Sequence, residues 1–119
     1  MAIEIDNRIG TAHGHGLAEA RSEISADAMR FAETHGLCGY LFALNSMILS
    51  RTDLVSSVRV ELDEDDEVCN WFTICFVIQT KGSVPEVLEF DGCISDFMIE
   101  SIPARERMFF ALQFPFDEP

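Results

Sequence analysis

The sequence predicts an α+β domain: two N-terminal helices followed by a β-β-α-β unit, its small three- or four-stranded sheet packed by helices. Three observations predict it. Apolar residues recur every three or four positions between Leu17 and Thr34. Two later stretches, Val58–Leu62 and Met108–Phe116, alternate apolar with polar residues as half-buried strands do. Between those strands, Ser83-Val84-Pro85-Glu86 carries the pattern of a helix start.

The first helix rests on Leu17, Ala20, Ile24, Ala28, Phe31 and Ala32, with Glu19, Arg21, Glu23, Asp27 and Arg30 largely between them and Gly36 as its C-terminal cap. Leu37–Ser50 is nearly continuous apolar sequence; its length and its Leu, Met and Ala content favour a second helix, with Asn45, Ser46 and Arg51 on the wetter side. Val58–Leu62 then forms a strand, and Trp71–Thr80 a second one whose two largely apolar faces place it centrally or under cover on both sides. Joined through the loop Asp63–Asn70, they read as a hairpin.

After Lys81-Gly82, Ser83 accepts from the backbone of a new helix while Glu86 reaches back to it, with Pro85 tolerated in the first turn. Its apolar face is Val87, Phe90, Ile94, Phe97, Met98 and Ile102, and Pro103 stops it; Gly92 inside weakens it by about 1 kcal/mol relative to Ala. Met108, Phe110, Leu112, Phe114 and Phe116 alternate as the last strand, with Pro115 at its edge or end. The helix from Ser83 covers one sheet face; the first two helices cover the other or form a layer of their own. Residues 1–119 are read as one domain, Ala2–Ile5 as a short strand, and residues 1–16 as a loosely held N-terminal arm rich in glycine.

The 119 residues carry 8 Lys+Arg against 21 Asp+Glu, a net charge of −13. Such a balance argues against direct binding to nucleic acid or to an anionic membrane, since phosphate neutralisation needs a positive footprint. No apolar run reaches the ~18 residues of a membrane span, and the N-terminus lacks a basic start and an apolar signal region, so a cytoplasmic location is expected. Cys38, Cys69, Cys75 and Cys93 include no C-x-x-C pair and read as free thiols packed as small hydrophobes. Ten phenylalanines against one tyrosine suggest core packing rather than an aromatic binding surface.

Candidate sites are few. Glu61–Glu67 holds six carboxylates in seven positions: Glu61, Asp63, Glu64, Asp65, Asp66 and Glu67. A calcium-binding EF-hand loop is excluded, because counting from Asp63 puts Val68 where glycine is needed and Ile74 where glutamate is needed. What remains is a solvated loop, a docking surface for a basic partner with Trp71 as a flanking anchor, or a metal site of hard oxygen ligands in which few of the adjacent carboxylates could converge on one ion. His13 and His15, two apart on an extended segment, can face one zinc or nickel ion, though no spacing identifies further ligands. Arg105-Glu106-Arg107 reads as a turn pairing with nearby carboxylates such as Glu100, or as a small anion site. Neither G-x-S-x-G, a phosphate-cradling glycine loop nor a Cys/His nucleophile setting occurs.

These observations favour a non-catalytic protein without a cofactor, one that holds a basic protein partner in the manner of an immunity protein or antitoxin-type inhibitor. Two alternatives stand beside it. One is a metal-binding protein or small metal-dependent enzyme using His13 and His15. The other is a structural homodimer joined through a sheet edge or the apolar Leu37–Leu49 segment.

Overall fold

The computed structural model describes residues 2–6 by their backbone, and residues 21–64, 67 and 71–115. The elements are β1 (Ala2–Asp6), β2 (Arg21–Ser25), α1 (Ala26–His35), α2 (Cys38–Leu49), β3 (Val55–Glu64), β4 (Phe72–Thr80), α3 (Val84–Ser101), α4 (Ala104–Arg107) and β5 (Phe110–Gln113). The class is α+β, as the sequence predicts. The sheet is larger than expected: five strands in the order β1-β2-β3-β4-β5. β1 runs antiparallel to β2, β2 parallel to β3, β3 antiparallel to β4, and β4 parallel to β5. The chain therefore makes two crossovers between parallel neighbours, one through α1 and α2 and one through α3 and α4.

β2 corrects the helix expected over Leu17–Thr34. Residues 17–20 lie outside the described residues, and Arg21–Ser25 is a strand in which Arg21 and Glu23 are exposed and Ser22 and Ile24 buried. The helix begins only at Ala26. Ser25, in extended conformation, accepts a hydrogen bond through its side chain from the Ala28 N–H, and Asp27 lies in the first turn where the helix dipole favours negative charge. Ile24, Ala28 and Ala32 are all buried in the core, so a strand residue happens to extend the helical spacing. Gly36 closes α1 at φ 68°, the left-handed conformation that favours glycine, with its N–H donating to the Ala32 and Glu33 carbonyls.

Strand register explains where the core lies. Ser22 pairs with Val58 and Ile24 with Val60 across β2–β3; Val58, Val60 and Leu62 face Ile78, Phe76 and Ile74 across β3–β4; Ile74 and Phe76 face Phe110 and Leu112 across β4–β5. Side chains alternate along a strand, so all of these share one face. The same cluster contains Ala28 and Ala32 of α1, Leu41, Leu44 and Ile48 of α2, and Val87, Phe90, Ile94 and Met98 of α3. All three long helices therefore cover one face of the sheet, and the arrangement is two-layered. An irregularity in β3 between Val55 and Ser57 inserts the extra residue that lets both Val55 and Val58 reach the core.

α2 buries Leu41, Leu44, Asn45, Ile48 and Leu49, the i, i+3, i+4, i+7, i+8 spacing of one helical face. Asn45 is thus on the core side and not the wetter side expected for it. Its side-chain carbonyl accepts a hydrogen bond from the Ser22 hydroxyl at 2.7 Å, and the two are the buried polar residues among those described. α3 opens with the expected capping box: the Ser83 N–H and hydroxyl donate to Glu86 Oε1 at 2.9 and 2.8 Å, and the Ser83 side chain accepts from the Glu86 N–H. Those bonds hold the Glu86 carboxyl below its ordinary range. Beside this start, Arg51 clasps Asp53 with two bonds of 3.0 Å and lies 5.3 Å from the centre of the Phe90 ring.

Removing one member of the buried Ser22–Asn45 pair leaves a polar atom in the core without its partner. Ser22→Ala is expected to lower the unfolding free energy by about 1–3 kcal/mol in urea titrations, and Ser22→Ala with Asn45→Leu to recover much of that loss. A single variant within about 0.5 kcal/mol of the parent would show that the pair does not hold β2 to α2.

Candidate functional site

At the end of the sheet where β3 turns into β4, five ring-bearing side chains from three places in the chain come together. Phe31 and His35 stand one turn apart on α1 with ring centres 4.1 Å apart. Phe31 approaches Phe72, the first residue of β4, at 6.1 Å and Phe109, just before β5, at 5.8 Å. Phe109 is also 5.7 Å from His35 and stacks against Trp71 at 5.3 Å with planes 14° apart. These are the spacings of offset and tilted aromatic pairs. The rings are neither core nor free surface: Phe31, Trp71, Phe72 and Phe109 are half-buried and His35 is exposed.

Local structure holds each ring in place. The α1 cap at Gly36 sets the end of the helix, and His35 Nδ1 lies 2.9 Å from the Phe31 carbonyl oxygen, a hydrogen bond when Nδ1 carries the proton. Phe109 is tied through its backbone, because its carbonyl accepts from the Ile74 N–H at 2.7 Å and its own N–H donates to the Glu106 carbonyl. A groove of about 240 Å³ runs along this cluster, lined by Asp27, Arg30, Phe31, Thr34, His35 and Leu62. The Asp27–Arg30 ion pair, at 3.1 Å, closes one side of it and is largely exposed.

The structure distributes the acidic residues between two faces. Asp63 and Glu64 belong to β3 and not to the loop: Asp63 pairs with Thr73, and Glu64 with Phe72. Glu64, two residues after Leu62, is on the helix-covered side, with the aromatic cluster and its groove. Glu61 and Asp63 are on the opposite face, where Arg59 lies 3.6 Å from Glu61. Glu67 is exposed, and Asp65 and Asp66 lie outside the described residues. Of the residues singled out in the sequence, Trp71 and Glu64 thus both belong to the hairpin end that carries the aromatic cluster, while Glu61 and Asp63 are on the opposite face of the sheet.

Phe31, His35, Phe72 and Phe109 were not candidates on sequence grounds. The phenylalanine-for-core expectation holds for Phe76, Phe90 and Phe110, which are buried, and in part for Phe31 and Phe109, which pack against the core while staying half-buried. One available signal was the Trp71-Phe72 and Phe109-Phe110 doublets: on an alternating strand, adjacent rings cannot both enter one core.

His13 and His15 lie outside the described residues, and no group of three or more His, Cys, Asp or Glu able to hold a metal ion occurs among the described residues. Cys75 is buried on the face opposite the helices, across from Glu61 on β3. Burial, with the carboxylates of Asp63 and Glu61, pushes its thiol up to about 11, the wrong direction for a nucleophile. Cys38, Cys75 and Cys93 are free thiols, and Cys69 lies outside the described residues. α2, the segment weighed as a dimer contact, spends its apolar face on the core and leaves Phe42 as its exposed aromatic residue. Arg105 is exposed and Arg107 half-buried, with its Nε buried and without a hydrogen-bond partner. No helix among the described residues is long and apolar enough to cross a membrane.

The thiols give a direct check. In native protein at neutral pH, a maleimide is expected to modify the exposed Cys93 and to leave Cys75 unmodified until the chain unfolds, as read by peptide mass spectrometry. The folded Cys75 thiol keeps its proton to higher pH than the unfolded thiol, whose ordinary value is 9.0. Its contribution to stability is therefore intact below pH 9 and is lost as pH rises from 9 towards about 11. The fall in urea midpoint over that window is expected to shrink in Cys75→Ala.

Compared with protein-family models, curated proteins and solved structures, the chain has no match.

Proposed function

We propose that this protein is a non-catalytic binding module for a basic protein partner, and that the partner docks at the hairpin end of the sheet. The observation that carries the reading is the half-buried cluster of Phe31, His35, Trp71, Phe72 and Phe109, opening into a groove beside Glu64 and the acidic hairpin. Clustered aromatic anchors with charge at the rim are the usual anatomy of a protein interface. The groove accepts one apolar or aromatic side chain of the partner. Carboxylates on either side of the hairpin then meet lysines and arginines around it.

The charge arrangement supports a division of labour. A net charge of −13 attracts a basic partner from a distance and speeds encounter, an effect that fades as ionic screening grows. Short-range holding comes from the rings, which exclude water from the contact and are indifferent to salt. An immunity protein or antitoxin-type inhibitor, laying carboxylates across the nucleic-acid groove of a cytoplasmic toxin, is the concrete form of this reading.

The experiment is affinity capture from the native host at low and high salt with three baits. They are the parent protein, Phe31→Ser with Trp71→Ala, and Glu61→Gln with Asp63→Asn, Glu64→Gln and Glu67→Gln. A basic protein retained by the parent and lost by the ring variant is expected. The neutralised hairpin is expected to slow association with the purified partner by about tenfold or more at low salt and to change it little at high salt. Identical capture by all three folded baits would overturn the reading.

A further inference from the structure

α3 carries a second surface that neither the core nor the hairpin uses. Val84, Leu88 and Ile99 are 53%, 62% and 60% exposed, three of the five large apolar residues that stand out in solvent among those described. At 100° per residue, Val84, Leu88, Ser95 and Ile99 fall within about 60° of arc, and the row is about 22 Å long. The core-facing residues Val87, Phe90, Ile94 and Met98 occupy a different arc of the same helix. Isolated exposed aliphatics are ordinary, but an aligned row of them is the mark of a contact surface.

Charge identifies what covers it. α3 holds Glu86, Glu89, Asp91, Asp96 and Glu100 and has neither lysine nor arginine. Glu89, Asp96 and Glu100 are exposed and form a row about a quarter-turn around the helix from the apolar one. A second copy of this chain carries the same charge of −13 and the same acidic helix, so like charge opposes its approach, and an anionic membrane would meet the same repulsion. A basic amphipathic helix meets both rows at once: its apolar face covers Val84, Leu88 and Ile99, and its lysines or arginines reach Glu89, Asp96 and Glu100.

We infer that the outer face of α3 is a docking site for a basic amphipathic helix of a partner protein. Helix pairing of this kind uses apolar anchors along one face, here Val84 and Leu88 one turn apart and Ile99 about three turns further on, with flanking charges choosing partner and register. The site is on a different element from the hairpin and does not depend on the docking proposed there.

The test uses the full-length protein and two synthetic helical peptides of the same 18-residue length as α3. Both carry leucine on one face; one has lysine on its flanks and the other glutamate. The lysine peptide is expected to shift the backbone amide resonances of residues 84–101. Leu88→Ser and Ile99→Ser, both at exposed positions, are each expected to weaken it by about tenfold, and the glutamate peptide to bind at least that much more weakly. Neutralising Glu61, Asp63, Glu64 and Glu67 should leave its affinity within about threefold, so failure of the hairpin reading and failure of this one are separable. Three results would overturn the inference: resonance shifts confined to the hairpin, an affinity insensitive to Leu88→Ser, or a dimer of the protein that Leu88→Ser dissociates.

Discussion

The whole arrangement depends on one constraint, the alternation that puts Ile24, Val60, Phe76 and Leu112 on the same side of four neighbouring strands. With a period of two residues, a slip of one position in β2 or β3 would turn its apolar set away from the helices and bring its polar set, such as Arg59 and Glu61, under them. Burying such charges without partners is far costlier than any single apolar contact is favourable. The register is therefore strongly specified, and with it the positions of α1, α2 and α3, which have one apolar face to pack against. The irregularity at Val55–Ser57 belongs to the same logic. It resets the alternation once, so that the start of β3 contributes Val55 as well as Val58 to the core.

Against that apolar background, the Ser22–Asn45 hydrogen bond adds direction to a contact that apolar packing alone leaves permissive. Leucine against isoleucine tolerates sliding, whereas a donor and an acceptor buried together are satisfied at one relative position. The bond joins the strand β2 to the helix α2, whose sequence is otherwise apolar enough to pack in several rotations. Its two members also lie at two of the places where sequence and structure part company. Ser22 and Ile24 alternate with Arg21 and Glu23, which is strand pattern, but only four residues display it before Ser25 starts a helix. The spacing Ile24, Ala28, Ala32 continues seamlessly from strand into helix, so periodicity reads one long helix. The better guide was Ser25 followed by Asp27, a helix start inside the supposed helix. Asn45 reads as a surface residue because its partner is 23 positions away, and no local pattern reports such a partner.

Where signals were local, the sequence was legible. Ser83 and Glu86 cap α3 through short-range geometry, Gly36 ends α1 through its own backbone freedom, and the alternation of β3 and the apolar run of β4 follow from burial on one face or two. The site was less legible for a physical reason. A phenylalanine is equally at home in a core and in a half-buried surface cluster, and only the fold distinguishes Phe76 from Phe72, four residues apart on one strand. The acidic residues show the converse. Their density in sequence suggests one surface, yet a strand sends Asp63 and Glu64 to opposite faces, so the carboxylates of β3 are divided, Glu61 and Asp63 on one face and Glu64 on the other.

That separation matters for how an acidic protein achieves selectivity. Charge alone attracts every basic molecule, and its reach, about 8 Å at physiological ionic strength, is too diffuse to distinguish one from another. Selectivity arises where charge borders a shaped apolar surface, because a partner must then supply both the lysines or arginines and the side chain that fits. Two places combine the two. At the hairpin end, Glu64 borders a groove walled by Phe31 and His35. On α3, exposed carboxylates border a row of aliphatic side chains. The face of the sheet opposite the helices has charge of both signs, with Arg59 close to Glu61, and its buried Cys75 and Val77 are withheld from contact. A basic partner approaching that face would meet Arg59 beside Glu61, whereas the hairpin end sets Glu64 beside the aromatic cluster and α3, with no lysine or arginine of its own, sets carboxylates beside aliphatic side chains. The distribution of charge relative to apolar surface, more than the total of −13, thus ranks the surfaces of this protein as places for a partner to bind.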